Sequence, residues 1–173
     1  SEEERADKLV KELKKMAEDI KREMDKLVEE LKRTIDELRK KHKELVDRHR
    51  RLVEELARRE DSERIERELK ESDDRIKEES DRAKRKLEKL LKDLTDRARE
   101  AKKRLRRLLE EIERDGVSEE VLKTLKEIVR KIEEEIDRVE KRLRELVKEL
   151  KDDSDEVNKE VNKITRKVKE ELR

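Results

Sequence analysis

Residues 114 to 121 read RDGVSEEV, and the folding of the chain turns on them. Gly116 is the single glycine among 173 residues, and proline is absent. A glycine can adopt the left-handed conformation that closes a helix, and Val117 can then fold back on the last turn. Ser118 follows as an N-cap, with Glu119 and Glu120 in the first turn of the next helix, where its dipole favours negative charge. The stretch therefore reads as a helix–loop–helix junction.

Upstream, REDSERIE at 59 to 66 offers a weaker break. Asp61 or Ser62 can cap a new helix and Glu63 falls in its first turn, but no glycine helps, so a single helix running to Arg114 remains the alternative. Breaks near 61 and 117 cut the chain into segments of about 60, 53 and 56 residues. Such near-equal lengths suit an all-α, antiparallel, up-down-up three-helix bundle. The helices are expected at 2–60, 62–114 and 118–172, forming one domain over 1–173. At ~1.5 Å per residue each would be about 80 to 85 Å long.

Hydrophobic spacing supports helices throughout. The first segment steps by three and four through Leu13, Ala17, Ile20, Met24, Leu27, Leu31, Ile35 and Leu38, then His42, Leu45, His49, Leu52 and Leu56. Similar stripes run from Ile65 to Ile112, interrupted by Ser72 and Ser80, and from Val121 to Leu172, interrupted by Ser154 and including Ile164. The mean step of about 3.5 to 3.65 lies between a left-handed coiled coil and straight helices. Flanking Val28, Leu91, Leu109, Val129 and Val147 widen the stripe enough to face two neighbours. Acidic-before-basic pairs four apart, such as Glu18–Arg22 and Glu134–Arg138, each add about 0.2–0.5 kcal/mol of helix stability.

Composition closes off several functions. Charged residues make up 62% of the chain, yet 54 basic and 53 acidic side chains nearly cancel. Nucleic-acid binders usually carry a basic face. The run KKRLRR at 102–107 has acidic flanks, and no aromatic residue is available to stack a base. No uncharged run approaches the roughly 18 residues of a membrane span. The beginning SEEERADKLV lacks a signal-peptide pattern, so localisation stays unknown, with a soluble protein expected. Cysteine is absent, which removes disulfides and thiol chemistry.

The polar interruptions are the candidate site. Folding the chain at 61 and 117 sets His49 level with Asp73 and Asp74, close to Ser72, and His42 level with Ser80 and Asp81. Ser80 then meets Ser154, while Ser72 meets Asn162, with Asn158 one turn away. These ten residues are expected to form a buried polar network. A buried imidazole needs such partners, since an unsatisfied polar group costs about 1–3 kcal/mol. Polar layers can also fix helix register. Thr165, spaced after Asn158 and Asn162, flanks the same zone; Thr34 and Thr95 read as isolated interruptions.

Sharper chemistry fits less well. Seven residues of helix separate the two histidines by about 10 Å, too far to share a zinc that needs each nitrogen at about 2.1 Å. Ser, His and Asp supply the residue types of a hydrolase triad, but an intact bundle is expected to offer no substrate pocket or oxyanion hole. No catalytic residue, metal or cofactor is assigned. A pH response through His42 and His49 is the more physical option, its sign set by burial against the nearby carboxylates.

Taken together, the DGVSEE connection, the Glu/Lys/Arg surface around Leu/Ile/Val seams, the missing aromatics and the matched polar layers resemble de novo designed helical bundles, over the whole chain. That resemblance implies a stable structural scaffold without natural enzymatic activity, needing no partner as a monomer. The alternative is an interaction module whose helix faces pair in a homo- or hetero-oligomer.

Overall fold

A computed structural model of the chain describes residues 1–58 and 61–171. It contains three helices: α1 (Glu2–Ala57), α2 (Ser62–Asp115) and α3 (Glu119–Glu171). The fold is an all-α three-helix bundle with no strand among the described residues. α2 ends and α3 starts one residue later than read in the sequence, and α1 ends earlier, at Ala57. The expected ends at 60 and 172 lie outside the described residues.

Gly116 has φ +79° and donates its N–H to the Glu113 carbonyl at 3.3 Å. No heavy atom lies within 4 Å of where a Cβ would sit, so backbone conformation rather than space calls for glycine here. Ser118 caps α3 as its type suggests. Its Oγ accepts the Val121 N–H at 3.3 Å, and its carbonyl accepts that of Leu122 at 3.0 Å. The first break needs no glycine because Asp61, with φ 35°, takes the left-handed conformation itself. Short Asp and Asn side chains tolerate that region better than most. The Asp61 carbonyl accepts the Ile65 N–H at 3.1 Å and so opens α2. α1 has already ended at Ala57, which rules out the single helix running to Arg114.

The chain divides into two compact units, each built from a segment of all three helices. One comprises Ser1–Leu31 and Leu90–Glu145; the other, Lys32–Lys89 and Leu146–Arg173. The core of the first unit is almost wholly apolar. Leu13, Ile20, Met24 and Leu27 of α1 are buried, as are Leu94, Ala98, Ala101, Leu105 and Ile112 of α2 and Leu125, Ile132, Ile136 and Leu143 of α3. Its two buried polar residues are Thr95, whose hydroxyl donates to the Leu91 and Lys92 carbonyls, and Glu140. Ion pairs trim the edges: Glu23–Arg104 at 2.9 Å and Glu30–Arg97 at 3.2 Å join α1 to α2. Glu133–Arg106, Asp137–Lys102 and Glu113–Lys126 join α2 to α3. Exposed pairs of this kind contribute only about 0–1 kcal/mol each. Their order shows the antiparallel sense, numbers rising on α3 as they fall on α2.

In the second unit apolar residues form separate clusters. Val53, Leu56, Ile65 and Leu69 pack together, with Leu52 and Val168 against them. Val46, Ile76 and Val161 form another, flanked by Leu45 and Val157. This corrects the stripe read from the sequence, which ran through Leu45 and Leu52. The buried positions are Val46, His49, Val53 and Leu56. A helix at 3.6 residues per turn drifts by about 20° per heptad against a 3.5-residue repeat, so the seam crosses onto the next residue along a helix this long. The same drift turns Ile164 outward, leaving it 41% exposed, while Thr165 faces inward.

Candidate functional site

Two polar groupings form within the second unit. At one, His49 is 1% exposed and uses both ring nitrogens. Its Nδ1 lies 3.0 Å from Ser72 Oγ on α2, and its Nε2 lies 2.7 Å from Thr165 Oγ1 on α3. Counting donors assigns the tautomer. Thr165 has one hydroxyl proton and gives it to the Val161 carbonyl at 2.9 Å, so its oxygen accepts from His49 Nε2–H. A neutral imidazole then has a bare Nδ1, which takes the Ser72 proton. The result is a directed chain from Ser72 through His49 and Thr165 to the α3 backbone, linking all three helices.

Burial holds the His49 pKa below the usual imidazole value. Asp73 pulls it up, Lys169 pushes it down, and loss of water dominates.

The second grouping centres on Ser80, 4% exposed, whose Oγ accepts from Asn158 Nδ2 at 3.0 Å and lies 3.5 Å from Ser154 Oγ. Asn158 Oδ1 is buried without a partner among the described residues. His42 is not bonded into this group. It is half-buried, and its Nε2 is buried yet has no hydrogen-bond partner among the described residues. Desolvation lowers its pKa as well.

The sequence placed ten residues in one buried network. The structure brings Ser72 to His49, and Ser154 and Asn158 to Ser80. Asp74 and Asp81 must be corrected: both are exposed. Each follows an inward serine by one or two positions, and every residue along a helix turns the side chain by about 100°, carrying them away from the facing helices. Asp73 is half-buried, pairs with Lys77 at 3.2 Å and reaches His49 only through its charge. Asn162 is half-buried and, among the described residues, stands outside both groupings. His42 was expected beside Ser80 and Asp81; it lines a cleft together with Ser80, while Asp81 is exposed.

That cleft is a further correction, because the sequence reading expected no pocket. It has a volume of about 480 Å³, with Leu38, Val46, Ala83, Leu87, Leu150 and Val157 supplying its apolar surface. The missed signal was size. Ser80, Ala83 and Ser154 place three small side chains from two helices along the one cleft. Thr165 was also missed as the direct partner of His49, and its spacing after Asn158 was the available signal.

Chemically, Ser72 and His49 stand at the distance of a nucleophile and a base. The nitrogen facing away from the serine meets a hydroxyl rather than the carboxylate of a triad, and the ring has no access to substrate. Among the described residues no three His, Asp or Glu side chains gather as metal ligands, and no helix is long and apolar enough to cross a membrane.

These features define the chain as an all-α three-helix bundle with hydroxyl–imidazole hydrogen bonds in its core. Among solved structures it is similar to a computationally designed three-helix bundle, at 23% identity over 98% of this chain and 80% of that one, with a TM-score of 0.37. No family model and no curated protein matches the chain.

Proposed function

We propose that the protein is a designed structural scaffold, monomeric and without enzymatic activity, whose buried polar groups specify how its helices pair. The observation that carries this reading is His49: one ring, 1% exposed, holds a hydroxyl on each of the other two helices. A polar group so placed sacrifices some stability relative to a leucine and penalises slipped pairings, in which its nitrogens would be left bare. Light scattering after gel filtration tests the scaffold reading directly. A mass of 21.2 kDa, the mass of one chain, is expected. A larger mass that persists on dilution would replace it with an oligomerisation module.

A second reading has one specific observation in its favour. Both histidines have depressed pKa values, so protonation works against the folded arrangement. On that reading the bundle is an acid-responsive module that loosens as the pH falls. Circular dichroism and light scattering at pH 7.5 and pH 5 distinguish the two. A scaffold keeps its helicity and mass at 25 °C across that range, whereas a switch loses one or the other.

A further inference from the structure

The cleft in the second unit is not needed by a structural scaffold, and His42 is among the residues that line it. His42 Nε2 is shielded from solvent and makes no hydrogen bond among the described residues. A buried polar atom left in that condition costs about 1–3 kcal/mol, so the polar packing beside the cleft is incomplete. The cleft is of the size that small-molecule sites generally have, about 300–1,000 Å³, and its walls are mostly apolar with a few polar points, the usual make-up of such sites.

Charge around the cleft is uneven. α1, the helix that carries His42, contributes Arg39, Lys41, Lys43 and Arg50 against a single acid, Asp47. Arg39 is engaged with Asp153 at 3.3 Å. α2 contributes one basic and one acidic side chain, and α3 one basic and two acidic. The positive excess therefore lies on the His42 side, and the apolar surface formed by Leu87, Leu150 and Val157 comes from the other two helices.

We propose that this cleft binds a small amphipathic anion, an apolar chain or ring bearing one carboxylate or sulfonate, with its head group among the basic side chains of α1 and its body against Leu87, Leu150 and Val157. The body covers apolar surface that the small side chains of Ser80, Ala83 and Ser154 leave open.

Decanoate titrated into the intact protein by isothermal calorimetry tests this, with decanol and decylammonium as neutral and cationic counterparts. Decanoate should bind at one site with a Kd below about 1 mM, and the other two about tenfold or more weakly. Ala83→Leu fills the cleft and Arg50→Glu reverses one of its basic side chains. Each should weaken decanoate about tenfold or more while helicity is retained. Ser154→Leu fills the same space from α3 and serves if Ala83→Leu does not fold. Displacement of anilinonaphthalene sulfonate, read by fluorescence, should follow the same order. Absence of saturable decanoate binding overturns the proposal. So does equal affinity for decanol or decylammonium, or an unchanged affinity in a folded cleft-filling variant.

Discussion

Thr165→Val is the most incisive single change. Valine keeps the shape and β-branching of threonine, so packing and helix propensity change little. What disappears is the oxygen 2.7 Å from His49 Nε2. The ring remains 1% exposed, so its N–H is left buried with nothing to receive it. An orphaned donor of this kind costs about 1–3 kcal/mol. Adding His49→Leu should cancel that cost. The stranded N–H is gone, an apolar side chain of similar size fills the space, and the half-buried Ser72 hydroxyl can turn toward water. Thr165→Val alone is thus destabilising, the double variant is at or above the starting stability, and the coupling between the positions is about 1–3 kcal/mol. Guanidinium unfolding followed by circular dichroism at pH 7.5 measures the cycle, with equal m values confirming that only stability changed. A Thr165→Val effect below about 0.5 kcal/mol, or effects that simply add, would refute the directed hydrogen-bond chain.

Three further outcomes follow from the same structure. Because burial lowers the pKa of His42 and His49, the unfolded chain binds more protons than the folded one below about pH 6.5. Stability is then full above that pH and declines below it, by at most about 1.4 kcal/mol per pH unit for each histidine. A Tm at pH 5 equal to or above that at pH 7.5 contradicts this, and His49→Leu should remove part of the fall. Gly116→Ala should cost about 1 kcal/mol, from its φ of +79° alone, since a Cβ would meet nothing within 4 Å. A neutral effect in chemical unfolding would exclude the left-handed turn. Glu140→Leu should leave stability unchanged or raise it by about 1 kcal/mol, because a buried carboxylate with weak partners costs more in lost hydration than it regains. Glu140 is only 9% exposed, with Arg99 at 4.0 Å and Arg144 at 3.7 Å; a clear loss of stability would mean those pairs are stronger than their distances indicate.

The fold was legible because it is written in features that act locally. Gly116 and Ser118 do at the second junction what their chemistry dictates, and the three-and-four spacing marks each helix along its length. Asp61 was harder to read, since an aspartate in the left-handed conformation looks in sequence like any other capping residue. The site was legible to about one residue in register and no further. His49 meets Ser72, as folding the chain at 61 implies, yet Asp74 and Asp81 were drawn in by proximity in number rather than by the face they occupy. Val46 and Val53 are buried more deeply than Leu45 and Leu52, which pack beside them, because a shift of one residue in a 56-residue helix is invisible to a stepwise count. The cleft lay beyond such reading altogether, because it depends on the volume left between three helices.

The contrast between the two units supplies a physical reason for a polar core layer in a chain of such repetitive composition. In the first unit, a heptad shift of one helix would still place mostly apolar residues against apolar residues, and edge ion pairs worth about 0–1 kcal/mol each discriminate weakly. In the second unit the same shift meets chemistry. Moving α2 by seven residues would bring Ile65 or Glu79 to the place of Ser72, leaving His49 Nδ1 bare or facing a carboxylate. Moving α3 the same distance one way would carry Thr165 away and strand the Nε2 proton. The opposite shift supplies Asn158, which could still accept that proton, but only by giving up its bond to Ser80. Each misalignment forfeits a buried hydrogen bond at about 1–3 kcal/mol. The imidazole therefore contributes less to how firmly the helices hold than to which of several similar alignments they adopt.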